Sequence, residues 1–383
     1  MTQTSANDPT PANDPPLVTL LDRLVKALRD WRNPDGAIQK LLKWTRRGLM
    51  ALNLAYASIL CLVLALMEWR AESHWFLSFA VYVPPQMWLL PILALGPLTL
   101  LIQPRWCLLH LGCMILVLIV YMGPQFHGQK SPQGPSFKLI TNNRGQDGKF
   151  SPTDFVAAEK PDVVIYQDAG RGPQYAKAYP DLNVQAVNEF TLITRFPIKS
   201  IELLPQRGLN QRPVAMRCVV DWEGRDLVIY SVHLTSPREE LEPMSKGGFL
   251  AAAFGGKGGY GEKLRNETQA FWEHQQKMAN EIAALAKKET SPTIIAGDFN
   301  VPNHGRIYHL YRGQFTDAFE TAGRGYGLTF PGFTRNPFTF FGPWLRLDQI
   351  FSNNQLRPIA SKAEPGRRSQ HRCMVATFEL SVK

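Results

Sequence analysis

The chain has 383 residues, 45% of them hydrophobic and 19% charged, proportions ordinary for a globular protein and sufficient for one large domain or two smaller ones. Its formal net charge is +10, yet residues 137–383 carry 31 Lys and Arg against 25 Asp and Glu. That mild excess suits an anionic substrate or an anionic membrane surface and falls short of the footprint of a dedicated nucleic-acid binder. The five cysteines form no Cys-x-x-Cys or Cys/His cluster that would suggest zinc, and the sequence leaves a Cys218–Cys373 pairing open, although both lie in strand-like runs that disfavour it.

Residues 1–16, rich in Pro, Asn, Asp and Thr, read as a disordered tail. Residues 17–47 read as a basic amphipathic helical segment. Leu17, Leu20, Leu21, Leu24, Leu28 and Trp31 recur at helical spacing among Arg23, Lys26, Arg29 and Arg32, and Lys43, Arg46 and Arg47 follow. Such a helix before an apolar run lies on an anionic membrane face.

Residues 48–122 read as a transmembrane region of about three spans. The first is Gly48–Met67, the second lies within 75–102 and is interrupted by Pro84, Pro85, Pro91 and Pro97, and the third is Trp106–Met122. The basic run before the first span places the N-terminus in the cytoplasm. Three crossings then put the C-terminal part on the exoplasmic, periplasmic side of the inner cell membrane, with the lipid bilayer as a partner. The Gly/Pro/Gln-rich stretch 123–136 reads as a flexible linker.

Residues 137–383 are expected to fold as one soluble domain. Strand-like runs at Phe137–Thr141, Val163–Gln167, Phe190–Arg195, Val214–Trp222, Leu227–Leu234, Thr293–Ala296, Arg346–Phe351 and Met374–Leu380 surround one long helical pattern near Glu262–Lys288. Many strands with few intervening helices favour packed sheets with helices outside over a regular parallel fold. The polar residues cluster at strand ends: Asn143, Gln167-Asp168, His233, Gly297-Asp298-Phe299-Asn300, Asp348 and Ser369-Gln370-His371. Converging on one edge, they make a candidate site. The Gly-rich stretch Lys246–Gly261, with Phe249, Leu250, Phe254 and Tyr260, reads either as a mobile loop or as a lid or membrane-dipping loop.

In order and type, these motifs resemble the endonuclease/exonuclease/phosphatase superfamily, which includes deoxyribonuclease I-like enzymes, inositol polyphosphate phosphatases and neutral sphingomyelinases. The layout also resembles membrane-anchored bacterial members. The resemblance implies a four-layer α/β sandwich, two mixed β-sheets flanked by helices, preceded here by the N-terminal transmembrane helices. It implies a phosphoesterase dependent on Mg²⁺, with Mn²⁺ as the alternative ion. Asn143 and Asp168 would be metal ligands, and Asp298 and Asn300 would handle the attacking water. His233 would donate to a phosphoryl oxygen, and His371, oriented by Asp348, would act as general acid/base or phosphate clamp. Arg195 matches a common family position and reads as a substrate contact or a structural anchor; Arg372, beside His371, reads as a candidate substrate contact that attracts phosphate or as a solvated charge.

The reading leans to a lipid-linked or small phosphorylated substrate, with nucleic acid not favoured. A nuclease of the same fold and a silent binding module are the alternatives. Two positions depart from the family pattern: Asp168 stands where Glu is usual, and Gln370 where Asp is usual. The first shortens a ligand by roughly 1.5 Å. Mg²⁺ holds its oxygens at about 2.0–2.1 Å, so the backbone moves in, a water bridges, or the larger Mn²⁺ is favoured.

Overall fold

A computed structural model describes residues 22–23, 25–27, 36–145, 151–332, 339, 342–367 and 369–381. The expected tail 1–16 lies outside the described residues. The chain divides into two units, 1–58 with 91–111, and 59–90 with 112–383.

In the first unit the start of helix α1 (Ala37–Arg70) accompanies α3 (Leu90–Ile102) and the first half of α4 (Cys107–Ile115). Its buried polar groups satisfy one another: Asn53 Nδ2 donates to Thr99 Oγ1 at 2.9 Å, and His110 Nε2 lies 2.9 Å from Asn53 Oδ1. Three helical stretches, Ile38–Ser73, Pro85–Ile102 and Pro104–Tyr121, are long and apolar enough to cross a membrane. The expected second apolar stretch is broken at Pro84-Pro85. Its first part forms the short helix α2 (Trp75–Ala80) and belongs to the second unit. Proline lacks the amide a continuing helix needs.

The second unit is built on two six-stranded sheets. Its strands are β1 (Gln125–Phe126), β2 (Ser136–Asn143), β3 (Val163–Gln167), β4 (Asn183–Val187), β5 (Phe190–Thr194), β6 (Ile198–Leu203) and β7 (Ala215–Trp222). They continue with β8 (Arg225–His233), β9 (Thr293–Asp298), β10 (Thr316–Asp317), β11 (Arg324–Gly325), β12 (Asp348–Ser352), β13 (Leu356–Ala363) and β14 (Met374–Leu380). One sheet has the order β13-β14-β2-β3-β5-β4 and the other β10-β12-β9-β8-β7-β6. Both are mixed, with β2–β3 and β8–β9 parallel and their other pairings antiparallel.

Alternation along the strands assigns each side chain to a layer. Val163 and Ile165 of β3, Leu227 and Ile229 of β8, and Ile294 and Ala296 of β9 fill the space between the sheets. Their neighbours Val164 and Tyr166 pack outward against Val156 of α5 (Thr153–Glu159) and Tyr175 of α6 (Gly172–Ala178). On the other side Val228, Tyr230 and Ile295 pack against α9 (Tyr260–Lys287) and α10 (Gly305–Arg312). The result is two sheets flanked by helices, as the alternating strands imply.

The stretch 123–136 is laid along the domain and is not a free tether. β1 pairs with β11, Lys130 N donates to the Ile359 carbonyl at 3.3 Å, and Gln133 N to Glu379 Oε2 at 3.0 Å. Its backbone amides find acceptors there, which its composition alone does not reveal.

Candidate active site

Topology brings the polar strand ends together. Asn143 closes β2, Asp168 follows β3, His233 closes β8 and Asp298 closes β9. β12 runs antiparallel to β9, so its first residue, Asp348, pairs with Asp298. His371 precedes β14, which runs antiparallel to β2. One edge of both sheets therefore carries all of them. Gly297 makes this closeness feasible: its φ is 148°, and a Cβ there would lie 1.9 Å from the Val232 carbonyl oxygen. Asp168 and Asn300 hold left-handed backbone, φ 52° and 51°, which Asp and Asn tolerate better than most residues and which recurs at functional sites.

Asp298 is fully buried and forms the hub. Its Oδ1 accepts the Asn300 amide at 2.8 Å and its Oδ2 accepts Asn143 Nδ2 at 2.8 Å. His371 Nε2 and His233 Nε2 stand 3.6 and 3.8 Å from that same oxygen. Burial pushes the Asp298 carboxyl above the usual carboxylate range, against the pull of the two imidazoles. His371 Nδ1 lies 2.9 Å from Asp348 Oδ2. Burial disfavours its imidazolium, but the Asp348 and Asp298 charges outweigh that and raise its pKa. Asp348 Oδ1 is buried without a protein partner.

The second histidine has a carboxylate that sequence reasoning missed. His233 Nδ1 lies 2.7 Å from Glu189 Oε1. Burial again opposes the charge, but Glu189, with Asp298 and Asp168, lifts the pKa to about 9. Glu189 sits in the turn before β5, and Ala169 N donates to its carbonyl at 2.9 Å. The available signal was positional. β5 returns antiparallel to β3, so the residue before β5 faces the one after β3.

Among the described residues two groups could hold a divalent cation: Asp168, Glu189 and His233, and the buried Asp298, Asp348 and His371, each with ligand atoms within 4.8 Å of one another. The carboxylate oxygens of Asp168 and Glu189 suit a hard divalent cation, while the Asn143 amide oxygen accepts Gly145 N at 2.7 Å. Glu189 also supplies negative charge beside the shortened Asp168. Asn300 is held by donating Nδ2 to the Leu234 carbonyl at 2.8 Å, and its own carbonyl accepts Tyr82 Oη at 2.7 Å. Gln167 is structural: its Nε2 bonds Thr141 Oγ1 and Ser231 Oγ, joining the two sheets.

The arginines fall elsewhere. Arg195 follows β5 at the opposite edge, where its Nε pairs with Asp162 Oδ1 at 2.7 Å. It is not brought to the other residues, because β5 carries the chain away from the site. Arg372 adjoins His371 in sequence but does not line the cleft, and burial lowers its pKa. The cleft measures about 1000 Å³, and Asn143, Asp168, Glu189, His233, Asp298 and His371 line it. Phe79, Tyr82, Val83 and Pro84, from the stretch between the first and second apolar helices, line it too, as does Met87 at the start of the second.

Residues 153–371 match the family described as Endonuclease/Exonuclease/phosphatase family. The chain belongs to that family. No curated protein matches it by sequence. Solved structures similar to it include a family protein from Bacteroides thetaiotaomicron, 16% identical with a TM-score of 0.47 over 66% of this chain and 100% of that one. A humanized D. rerio TDP2 is 16% identical with a TM-score of 0.45 over 64% and 99%. D. rerio TDP2 complexed with single strand DNA product is 14% identical with a TM-score of 0.44, also over 64% and 99%. The expectation that nucleic acid is not favoured as a partner is withdrawn, because the family that the chain belongs to is described by its endonucleases and exonucleases as well as its phosphatases. The family match begins downstream of the three apolar helices.

Proposed function

We propose that the chain is a membrane-anchored, metal-dependent phosphoester hydrolase that cleaves phosphodiesters, with a nucleic-acid strand as the first substrate class. The observation that carries the reading is Asp298, buried between two histidines that are each tied to a second carboxylate.

Hydrolysis at phosphorus needs an oriented water, compensation of charge on the equatorial oxygens and help for the leaving oxygen. Asp298, its carboxyl raised by burial, takes a proton from the attacking water. Asn143 and the Asn300 amide hold the Asp298 carboxylate in position. The Asp348 and Asp298 charges favour the imidazolium form of His371, which suits it to donate to a phosphoryl oxygen. His233, kept cationic by Glu189, donates from the other side. A divalent ion held by Asn143, Asp168 and Glu189 would add charge neutralisation and leaving-group stabilisation.

A second reading, cleavage of an amphiphilic or lipid-linked phosphate ester, is favoured by one observation: Phe79, Val83, Pro84 and Met87 line the same cleft. For the anchor, the support is three helices of spanning length. The basic residues Lys40, Lys43, Arg46 and Arg47 at the start of the first would place the domain on the exoplasmic side.

The test uses the full chain in nanodiscs with Mg²⁺ or Mn²⁺, a labelled single-stranded oligonucleotide and a polyprenyl phosphate. Oligonucleotide cleavage that Asp298→Asn abolishes supports the first reading. Turnover of the lipid phosphate alone moves the assignment to the second, and no turnover of either leaves a binding module.

A further inference from the structure

One stretch singled out in the sequence, Lys246–Gly261, has no part in this chemistry. It contains helix α8 (Phe249–Phe254), whose exposed face is apolar: Leu250 is 63% and Phe254 84% exposed. Among the described residues of 137–383, the large exposed hydrophobic side chains are Leu209, Leu250, Phe254, Tyr260 and Tyr326. Three of the five thus fall within 250–260, a concentration that calls for a partner.

The helix is also held firmly. A Cβ on Gly261 would lie 1.9 Å from the Ala251 carbonyl oxygen, so glycine lets the start of α9 press against α8. Gly255 N donates to the Ala251 carbonyl at 2.7 Å, and the Arg265 guanidinium donates to the Ala252 carbonyl. Firm placement of exposed Leu and Phe side chains is not the behaviour of a floppy loop.

The buried side of α8 names the occupant. The Phe249 ring packs on Trp75, Phe76 and Phe79, at centroid distances of 5.6, 6.0 and 5.6 Å. Those three residues belong to α2, in the short connection between the first and second apolar helices. If those helices cross a bilayer, their connection lies at its surface, and α8 lies beside that connection. From Met244 to Gly261 the sequence has two lysines, Lys246 and Lys257, and no acidic residue. Aromatic and aliphatic side chains flanked by cations suit an anionic lipid interface.

We propose that α8 docks onto the lipid bilayer that carries the chain's own spans, inserting Leu250 and Phe254 at the level of the headgroups. The inference rests on the reading that the apolar helices cross the membrane. It is independent of which phosphate ester is cleaved.

Spin labels test it in the full chain, in nanodiscs of phosphatidylethanolamine with a minority of phosphatidylglycerol, after Cys61→Ser and Cys107→Ser. Labels go on Phe254→Cys and, separately, on Leu250→Cys, which keeps Phe254 in place. Leu93→Cys on the second apolar helix and Asp181→Cys on the domain surface serve as references. The expected result is a label at 254 or 250 that, like the one at 93, meets oxygen more readily than a soluble nickel chelate. A lipid-exposed label at 93 with aqueous labels at 250 and 254 overturns the docking and leaves the membrane reading intact. Aqueous labels at all three sites refute the membrane reading and the docking with it. Labels at 250 and 254 shielded from both reagents, or broadened by a second label nearby, mean that a protein surface or a second copy covers α8, and also overturn it.

Discussion

Two histidines face Asp298 from the two sheets, and their settings differ. His371 and its partner Asp348 are enclosed, whereas His233, Glu189 and Asp168 are only partly buried. Both imidazoles are raised in pKa by a carboxylate on Nδ1. Asp348 is fully buried, so the carboxylate that braces His371 is shielded from solvent, which suits a fixed donor. The more open trio of Asp168, Glu189 and His233 lines the same cleft. The same chemical device, an imidazole braced by a carboxylate, thus serves a rigid and an accessible position in one cleft.

The largest effect is expected at the shared hub. Asp298→Asn removes the proton acceptor and should cut kcat by roughly 10²–10⁴-fold with the fold retained, checked by turnover beside circular dichroism.

Asp348→Asn should cost less and move the pH profile. Without that charge the His371 pKa falls, so the alkaline limb of kcat, where imidazolium is lost, shifts to lower pH. An unmoved limb would separate His371 from the profile.

Glu189→Gln probes the open side through stability. The folded-state pKa of His233 is raised from 6.5 to about 9. Its contribution is therefore full below about pH 6.5 and is lost as pH rises through about 9, on the order of 3 kcal/mol. In EDTA, the wild-type melting temperature should fall across that window, and the Glu189→Gln protein should show a much flatter profile.

The smallest effect belongs to Arg195→Ala. Its ion pair with Asp162 is exposed and worth about 0–1 kcal/mol, so turnover should stay within about twofold of wild type. A large loss of kcat would return Arg195 to the substrate.

Most of the site was legible because its residues lie at or beside the ends of buried strands in a recognisable order, from Asn143 to His371. Glu189 was not, because a lone Glu in a turn carries no motif, and only the antiparallel return of β5 places it opposite Asp168. Arg195 stood open between substrate contact and structural anchor for the same reason: strand direction decides which end of β5 faces the cleft. The edge strands β4 and β6 escaped notice because their residues are only partly buried and lack an apolar run. Tyr82 and Trp344 were out of reach as well. The Tyr82 hydroxyl meets the Asn300 carbonyl and Trp344 Nε1 meets the Tyr82 carbonyl, contacts that join distant parts of the chain. Periodicity within a window does not report such pairings.

The central claim is that this edge of the sandwich hydrolyses phosphate esters with a bound divalent ion. The most direct measurement is turnover of bis(p-nitrophenyl) phosphate by the full chain before EDTA, after EDTA, and after Mg²⁺ or Mn²⁺ is restored. The account predicts activity that EDTA removes and either ion returns, and that Asp298→Asn lacks throughout. Turnover that survives EDTA, or none with any ion, would contradict it.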